Sequence, residues 1–201
     1  MFKTDNLNPV LLVHGINDTI AVFNTMSAHL TQLGWSVYKL NLVPNNGDLG
    51  LDKLAEQVAE YIEGNFPAQQ PLDLVGFSMG GIVTRYYLQR LGGIKRVQRY
   101  ISISAPNHGT IIAQLSQRPG CLQMRRHSSL LQDLNRDGEE ILARINFTTI
   151  WTPFDLMIVP AQSSLMSVGK QIKLNVLLHP WMLWDGRCLD VVAHALREPL
   201  K

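Results

Sequence analysis

The sequence predicts an α/β fold, a mostly parallel sheet of about six strands with helices on both faces, and three observations predict it. Residues 9–13 are a short, continuously apolar run rather than an alternating one, as expected of a parallel strand buried on both faces, and a second apolar run, Leu72-Asp73-Leu74-Val75, leads to Ser78. Between them lie segments whose apolar residues recur with a 3.6-residue period, so strand and helix alternate along the chain. Turn residues follow directly on these runs, at His14-Gly15 and at Ser78, which puts both at the carboxyl edge where such sheets carry their sites. With 201 residues, the chain has the length of one such domain, over 1–201, with a core of ordinary size.

The elements follow in order. Residues 9–13 form the first strand, ending in the turn His14-Gly15-Ile16-Asn17. Residues 18–33 read as a helix with Phe23, Met26, Leu30 and Leu33 on one side, stopped by Gly34. Residues 35–43 form the second strand, broken by Pro44 and an Asn-Asn-Gly turn. From 51 to 62 the apolar positions Leu51, Leu54, Ala55, Val58, Tyr61 and Ile62 keep helical spacing, and Gly64 is expected to end that helix. The third strand runs into Ser78, and a helix follows to about residue 91. Residues 97–103 are the fourth strand. The stretch 111–145 is mixed, contains Pro119-Gly120 and offers two short helices, 130–134 and 139–145; it is expected to be a short cap over the site. Residues 147–151 and 173–178 supply the last two strands, and a final amphipathic helix opens at Asp185 or Gly186.

The chemistry centres on Gly76-Phe77-Ser78-Met79-Gly80. Alone, these five residues describe an ordinary Gly-Ser turn. Placed between a strand and a helix, they form the G-x-S-x-G elbow, in which the serine is forced into a strained backbone and its hydroxyl is aimed out of the fold. The helix start behind that hydroxyl favours negative charge. A serine hydroxyl needs a base to take its proton and a third group to orient that base. On such a sheet the acid and the histidine come later in the chain, each after a strand, which selects Asp155 and His179. His194 is a rival base lying within the last helix. Asp133, Asp137 and Asp185 are rival acids, the last of them accounted for as a helix cap. Acyl transfer also builds charge on the substrate oxygen, for which the N–H groups of Ile16 and Met79 are the expected donors. His14 and Gly15 shape the turn that carries Ile16 and are expected to border the bound substrate. Met124, Leu130, Leu131 and the run Trp181, Met182, Leu183 and Trp184 are expected to line an acyl pocket or a lipid-facing rim, although side chains of these types are most often core.

The composition is that of a globular protein, 46% hydrophobic and 17% charged. No run approaches the ~18 apolar residues of a membrane-spanning helix. The polar start of the chain does not resemble a secretory leader, which points to a cytoplasmic or peripheral membrane protein. Cys121 and Cys188 are then expected to be ordinary thiols. No residues have metal-ligand spacing and no phosphate-binding glycine loop is present, so neither a metal nor a cofactor is expected. Net charge is only +2, yet residues 74–132 hold no acid and eight cations, Arg85, Arg90, Lys95, Arg96, Arg99, Arg118, Arg125 and Arg126. On one face these would draw an anionic membrane; scattered, they would be neutralised by acids from elsewhere. Nucleic acid is not an expected partner, because no recognised binding module accompanies the charge.

Taken together, the blocks at 9–16, 76–81, 104–110, 152–160 and 179–183 resemble the small bacterial-type triacylglycerol lipases and esterases of the α/β-hydrolase superfamily, and residues 123–135 resemble the segment that follows the Ala-Pro-x-His-Gly block there. The resemblance implies carboxylic ester hydrolysis through an acyl-enzyme, with Ser78 as nucleophile, His179 as base and then acid, and Asp155 as its orienter. The apolar candidates at 124, 130–131 and 181–184, taken with the basic block, point to acyl chains presented at a membrane surface, that is, to a glycerolipid substrate. A soluble short-chain esterase or thioesterase would use the same three residues, and a lipid-binding scaffold on this fold would need none of them.

Overall fold

A computed structural model describes residues 7–200. The first six residues, part of the polar start discussed above, lie outside the described residues. Six strands form one parallel sheet: β1 Val10–Val13, β2 Val37–Leu40, β3 Leu72–Phe77, β4 Val97–Ile103, β5 Asn146–Trp151 and β6 Lys170–Lys173, in the order β2-β1-β3-β4-β5-β6. The chain winds outward from β1 to β2, then crosses back to place β3 on the other side of β1. The direction of winding therefore reverses at the β1/β3 pair, where Val13 lies in register with Gly76. A crevice opens outside the carboxyl ends of strands at such a reversal. His14-Gly15 and Ser78 leave the sheet there.

Alternation along the buried strands sorts side chains into two cores. Leu11, Val13, Leu72, Leu74 and Tyr100 face the layer of α2 (Leu51–Asn65), α3 (Met79–Arg90) and α5 (Ser129–Leu142). Val10, Leu12, Val75, Phe77 and Ile101 face α1 (Asn24–Gln32) and α6 (Gly186–Ala195). The α/β-hydrolase architecture expected from the sequence is thus present, a three-layer sandwich with its helices on both faces.

Several boundaries differ from the sequence reading. The first helix begins with a 3-10 turn, Ile20–Phe23, capped by the Thr19 hydroxyl, and becomes α-helical only at Asn24. The second strand is shorter than 35–43. Gly64 does not end α2; the helix runs on to Asn65 and stops at Phe66, which is extended as expected of a residue before proline. The last strand lies earlier than 173–178. Beyond β6, Leu174 N–H still bonds to Trp151 O at 2.9 Å and Thr152 Oγ1 donates to Val176 O at 2.6 Å, so the chain stays beside β5 until His179.

The expected cap is the largest correction. Residues 129–142 form one helix, not two short ones, and Leu130, Leu131, Leu134 and Leu142 bury it against α3 as the crossover between β4 and β5. Gly138 lies inside this helix, where a Cβ would stand 2.9 Å from Nη2 of the fully buried Arg85. Only 111–124, a 3-10 turn Ile111–Leu115 and α4 Pro119–Met124, remain over the site.

The eight cations are largely absorbed. Arg90 pairs with Asp133 and Asp137, Arg99 with Asp73 and Arg118 with Asp48, while Arg85, Arg96 and Arg125 bond to neutral oxygens. Acids from outside the block thus meet three of its cations, Arg90, Arg99 and Arg118, and the charge asymmetry is cancelled only in part. No described helix is long and apolar enough to cross a membrane.

Candidate active site

Ser78 closes β3 and α3 begins at the next residue. Its backbone sits at φ 54°, ψ −125°, in the positive-φ region that non-glycine residues avoid. Two hydrogen bonds hold it there: Ser78 N–H to Ile103 O at 2.9 Å, and Gly81 N–H to Ser78 O at 3.0 Å. The turn is tight enough that a Cβ on Gly80 would run into the carbonyls of Val13 and His14, which locks α3 against the end of β1. A Cβ on Gly15 would stand 3.0 Å from Ser78 Cβ and 3.4 Å from its Oγ. The glycine after the first strand therefore gives the Ser78 hydroxyl its space.

Asp155 and His179 arrive from the ends of β5 and of the segment after β6. His179 Nδ1 lies 2.7 Å from Asp155 Oδ2, and both residues are buried. The other carboxylate oxygen, Asp155 Oδ1, accepts the N–H groups of Met157 and Ile158, each at 2.9 Å. Those donors fix the carboxylate, and an ionised carboxylate facing Nδ1 places the ring proton there, leaving Nε2 unprotonated. The imidazole packs against Phe77, the neighbour of Ser78, with ring centroids 4.7 Å apart. The imidazole is thus packed on the residue that precedes the strained serine, with its Nδ1 turned to Asp155.

The rivals lie elsewhere. His194 is exposed on α6; Asp133 and Asp137 hold Arg90; Asp185 caps α6 through Arg187 N–H. His14 is completely buried, receives the Leu42 N–H on Nε2 at 3.0 Å and has Gly15 O 2.8 Å from Nδ1. Both ring nitrogens are used in building the turn, so His14 does not reach a substrate and its expected place in the binding site is corrected. The N–H groups of Ile16 and Met79 have no hydrogen-bond partner among the described residues, the latter because the first N–H of a helix has no carbonyl behind it.

A cavity of about 180 Å³ opens on Ser78, with Ile16, Pro106, Ile112, Ala113, Met124 and Ile158 among its walls. Met124 is where the sequence reading placed it. Leu130 and Met182 are not: Leu130 packs in the α3/α5 core and Met182 is fully buried in the core beneath α1 and α6. Trp181 is 43% exposed and shares a separate depression with Trp184 and Asp185. Their apolar character was read correctly, but their direction depends on the 3-10 turn His179–Leu183, which has no periodicity to read. The 152–160 block could have revealed one missed wall, since Met157 and Ile158 immediately follow Asp155. Asp18 was also missed. Its Oδ2 would meet the same Gly15 Cβ at 3.0 Å, and burial raises its pKa against the opposing pull of His14, His179 and the Gly15 N–H. Among the described residues, no group of three acids, histidines or cysteines could hold a metal.

Residues 9–137 match the model of the palmitoyl protein thioesterase family, which is more than half of the chain and includes the Gly15 turn and the Ser78 elbow. The chain belongs to that family. Palmitoyl-protein thioesterase 3 of Dictyostelium discoideum is 26% identical over 106 residues, half of this chain and 36% of that protein, so the chain spans about a third of this curated relative. Aspergillus fumigatus lipase B superposes with a TM-score of 0.82 at 21% identity, over 98% of this chain and 54% of that one. The mature form of Bacillus licheniformis lipase BlEst2 superposes with 0.77 at 15% identity, over 94% and 92%. The α/β-hydrolase fold expected from the sequence is shared with these two lipases, and the family match is consistent with the small lipase or esterase that the sequence resembles. The family match ends before Asp155 and His179, whose pairing comes from the geometry.

Proposed function

We propose that the chain is a serine hydrolase of acyl esters, with Ser78 as nucleophile, His179 as general base and then acid, and Asp155 as its orienter. The observation that carries this is Ser78 strained at the mouth of an apolar cavity beside the His179–Asp155 pair. Attack by Ser78 Oγ on the acyl carbon passes its proton to His179 Nε2, and the imidazolium that forms is stabilised by Asp155. Charge on the carbonyl oxygen falls to the free N–H groups of Ile16 and Met79. His179 then protonates the leaving alcohol, and water repeats the sequence to release the acid.

For the substrate we propose a glycerolipid ester. The cavity is smaller than the ~300–1,000 Å³ of sites for drug-sized ligands, so a long acyl chain would extend beyond it. Met157 in the cavity wall is exposed, and Leu156, Leu177 and Leu178, neighbours of Asp155 and His179 in the chain, are exposed as well, apolar surface suited to a chain presented from a lipid surface. Peripheral contact with a membrane would then rest on this surface rather than on the basic block. A thioester is the second reading, favoured by the family match over 9–137.

Hydrolysis of p-nitrophenyl esters from two to sixteen carbons, of a monoacylglycerol and of a palmitoyl thioester, by wild type and Ser78→Ala, tests both. Activity that vanishes in the variant is expected, and glycerolipid turnover above thioester turnover supports the first reading. Loss of no activity in Ser78→Ala would overturn the serine mechanism.

A further inference from the structure

A second and larger cavity, about 570 Å³, lies on the other side of the loop that walls the acyl site. Pro106 and Thr110 face the Ser78 cavity, whereas His108 between them lines the second. The other shared wall is the chain at 124–126: Met124 faces the acyl site, Arg126 faces the second cavity, and a Cβ on Gly109 would meet the Arg126 backbone at 2.6 Å. His127, Leu131, Gln132, Asn135 and Arg136 complete the lining.

We infer that this cavity binds a phosphate group, its favoured source being the headgroup of the acyl donor cleaved at Ser78.

Three features support it. Arg126 pairs with no carboxylate among the described residues, and it opens into this cavity with Arg136. The Arg126 guanidinium, the free edge of Arg136 and the second N–H of Gln132 provide several donors, a set suited to the oxygens of a phosphate; Asn135 Nδ2 is already spent on Asn107 O and His108 Nδ1. Behind the wall sits Arg85, completely buried and bonded only to neutral oxygens of Gln89, Asn107, Leu134 and Asn135. A buried charge with no counter-charge in contact projects its field through low-dielectric surroundings. Asn135 relays it: its Oδ1 accepts from Arg85 Nη2 at 2.9 Å, so its Nδ2 turns toward Asn107 O and His108 Nδ1, 3.3 Å away, on the cavity side.

The opposing charges are few. Asp133 pairs with Arg136 at 2.6 Å but is held on its other oxygen by Arg90, and Glu139 acts on His108. Burial and the Arg85 charge lower the His108 pKa, so that ring serves as a neutral partner.

The headgroup source rests on the acyl-hydrolase reading; phosphate binding itself does not. Calorimetric titration of the Ser78→Ala protein with inorganic phosphate and with glycerol 3-phosphate at low ionic strength measures binding alone. Wild-type turnover of a 1-acylglycerol and of the 1-acylglycerol 3-phosphate with the same chain measures the source. Phosphate binding is expected to weaken about tenfold or more in Arg126→Gln, as for loss of a charge-assisted bond. The turnover ratio of phosphorylated to neutral donor should fall by a similar factor, while Lys95→Gln, an exposed cation of the same block, leaves both unchanged. His127→Gln provides a second variant, and unchanged melting temperatures show that the variants fold. Binding lost with an unaltered donor ratio would mean that the cavity takes free phosphate, which overturns the headgroup source. Binding that is absent, or indifferent to Arg126, overturns the site. Phosphate binding without cleavage of either donor would leave the site standing and remove the acyl-hydrolase reading.

Discussion

Asp155 Oδ2 and His179 Nδ1 stand 2.7 Å apart although the two residues are delivered by different segments, and the same carboxylate is pinned on its other oxygen by two backbone N–H groups. Orientation and charge are thus fixed before any substrate arrives. Asp155→Asn keeps the side-chain shape but presents an amide that holds the imidazole in either tautomer. A fall in kcat on the order of 10³–10⁴ is expected, with KM little changed. Steady-state kinetics at pH 7.5 measure it; a loss under tenfold would remove Asp155 from the mechanism.

Gly80→Ala should act on folding as much as on chemistry. The added methyl would run into the carbonyls of Val13 and His14, both backbone atoms at the end of the central strand, and neither can swing aside. A loss of about 3 kcal/mol is expected, the upper part of the range for overpacking. Urea denaturation measures it. Wild-type stability in the variant would mean that α3 can move away from β1.

Much of this was legible because the central strands obey local rules. Val10–Val13 and Val97–Ile103 are apolar enough to be read as buried strands, and Ser78 between a strand and a helix is a local signal. What failed depends on partners far away in the chain. The two short helices expected at 130–134 and 139–145 are one helix because it packs along α3, where Gly138 leaves room for the distant Arg85. Lys170–Lys173 has the exposed, polar pattern of an edge strand and offered little apolar signal, so the reading slid to the more hydrophobic residues that follow. His14 shapes its turn as the sequence suggested but does not border the substrate, because only the position of Leu42 N–H shows that both ring nitrogens are engaged.

Ala113 is a small, buried residue in the wall of the Ser78 cavity. Ala113→Phe should fill the space for the acyl chain without touching the serine, the base or the free N–H groups. kcat/KM for a dodecanoyl ester is expected to fall tenfold or more while an acetyl ester is affected severalfold less, since discrimination scales with the apolar volume a pocket accepts. A uniform loss across chain lengths would mean that the acyl chain lies elsewhere.

Asp73 supplies a pH dependence of stability whose sign is opposite to that of most ion-paired carboxylates. It is fully buried in β3, where Asn8, the Arg99 N–H and the Arg99 guanidinium all favour its charge, yet burial outweighs them and raises its pKa from 3.8 to about 6. The folded protein therefore holds this proton more tightly than the unfolded chain. The resulting stabilisation is complete below about pH 4 and is lost as pH rises through about 6. Its size is on the order of 2–3 kcal/mol. Asp73→Asn keeps an acceptor for Asn8 and for the Arg99 N–H but removes the titration. Urea midpoints at pH 5 and 7.5 are the measurement: the stability difference, wild type minus variant, should be larger at pH 5 than at pH 7.5. An equal difference at both values would mean that Asp73 stays ionised across the range, with Arg99 and Asn8 outweighing its burial.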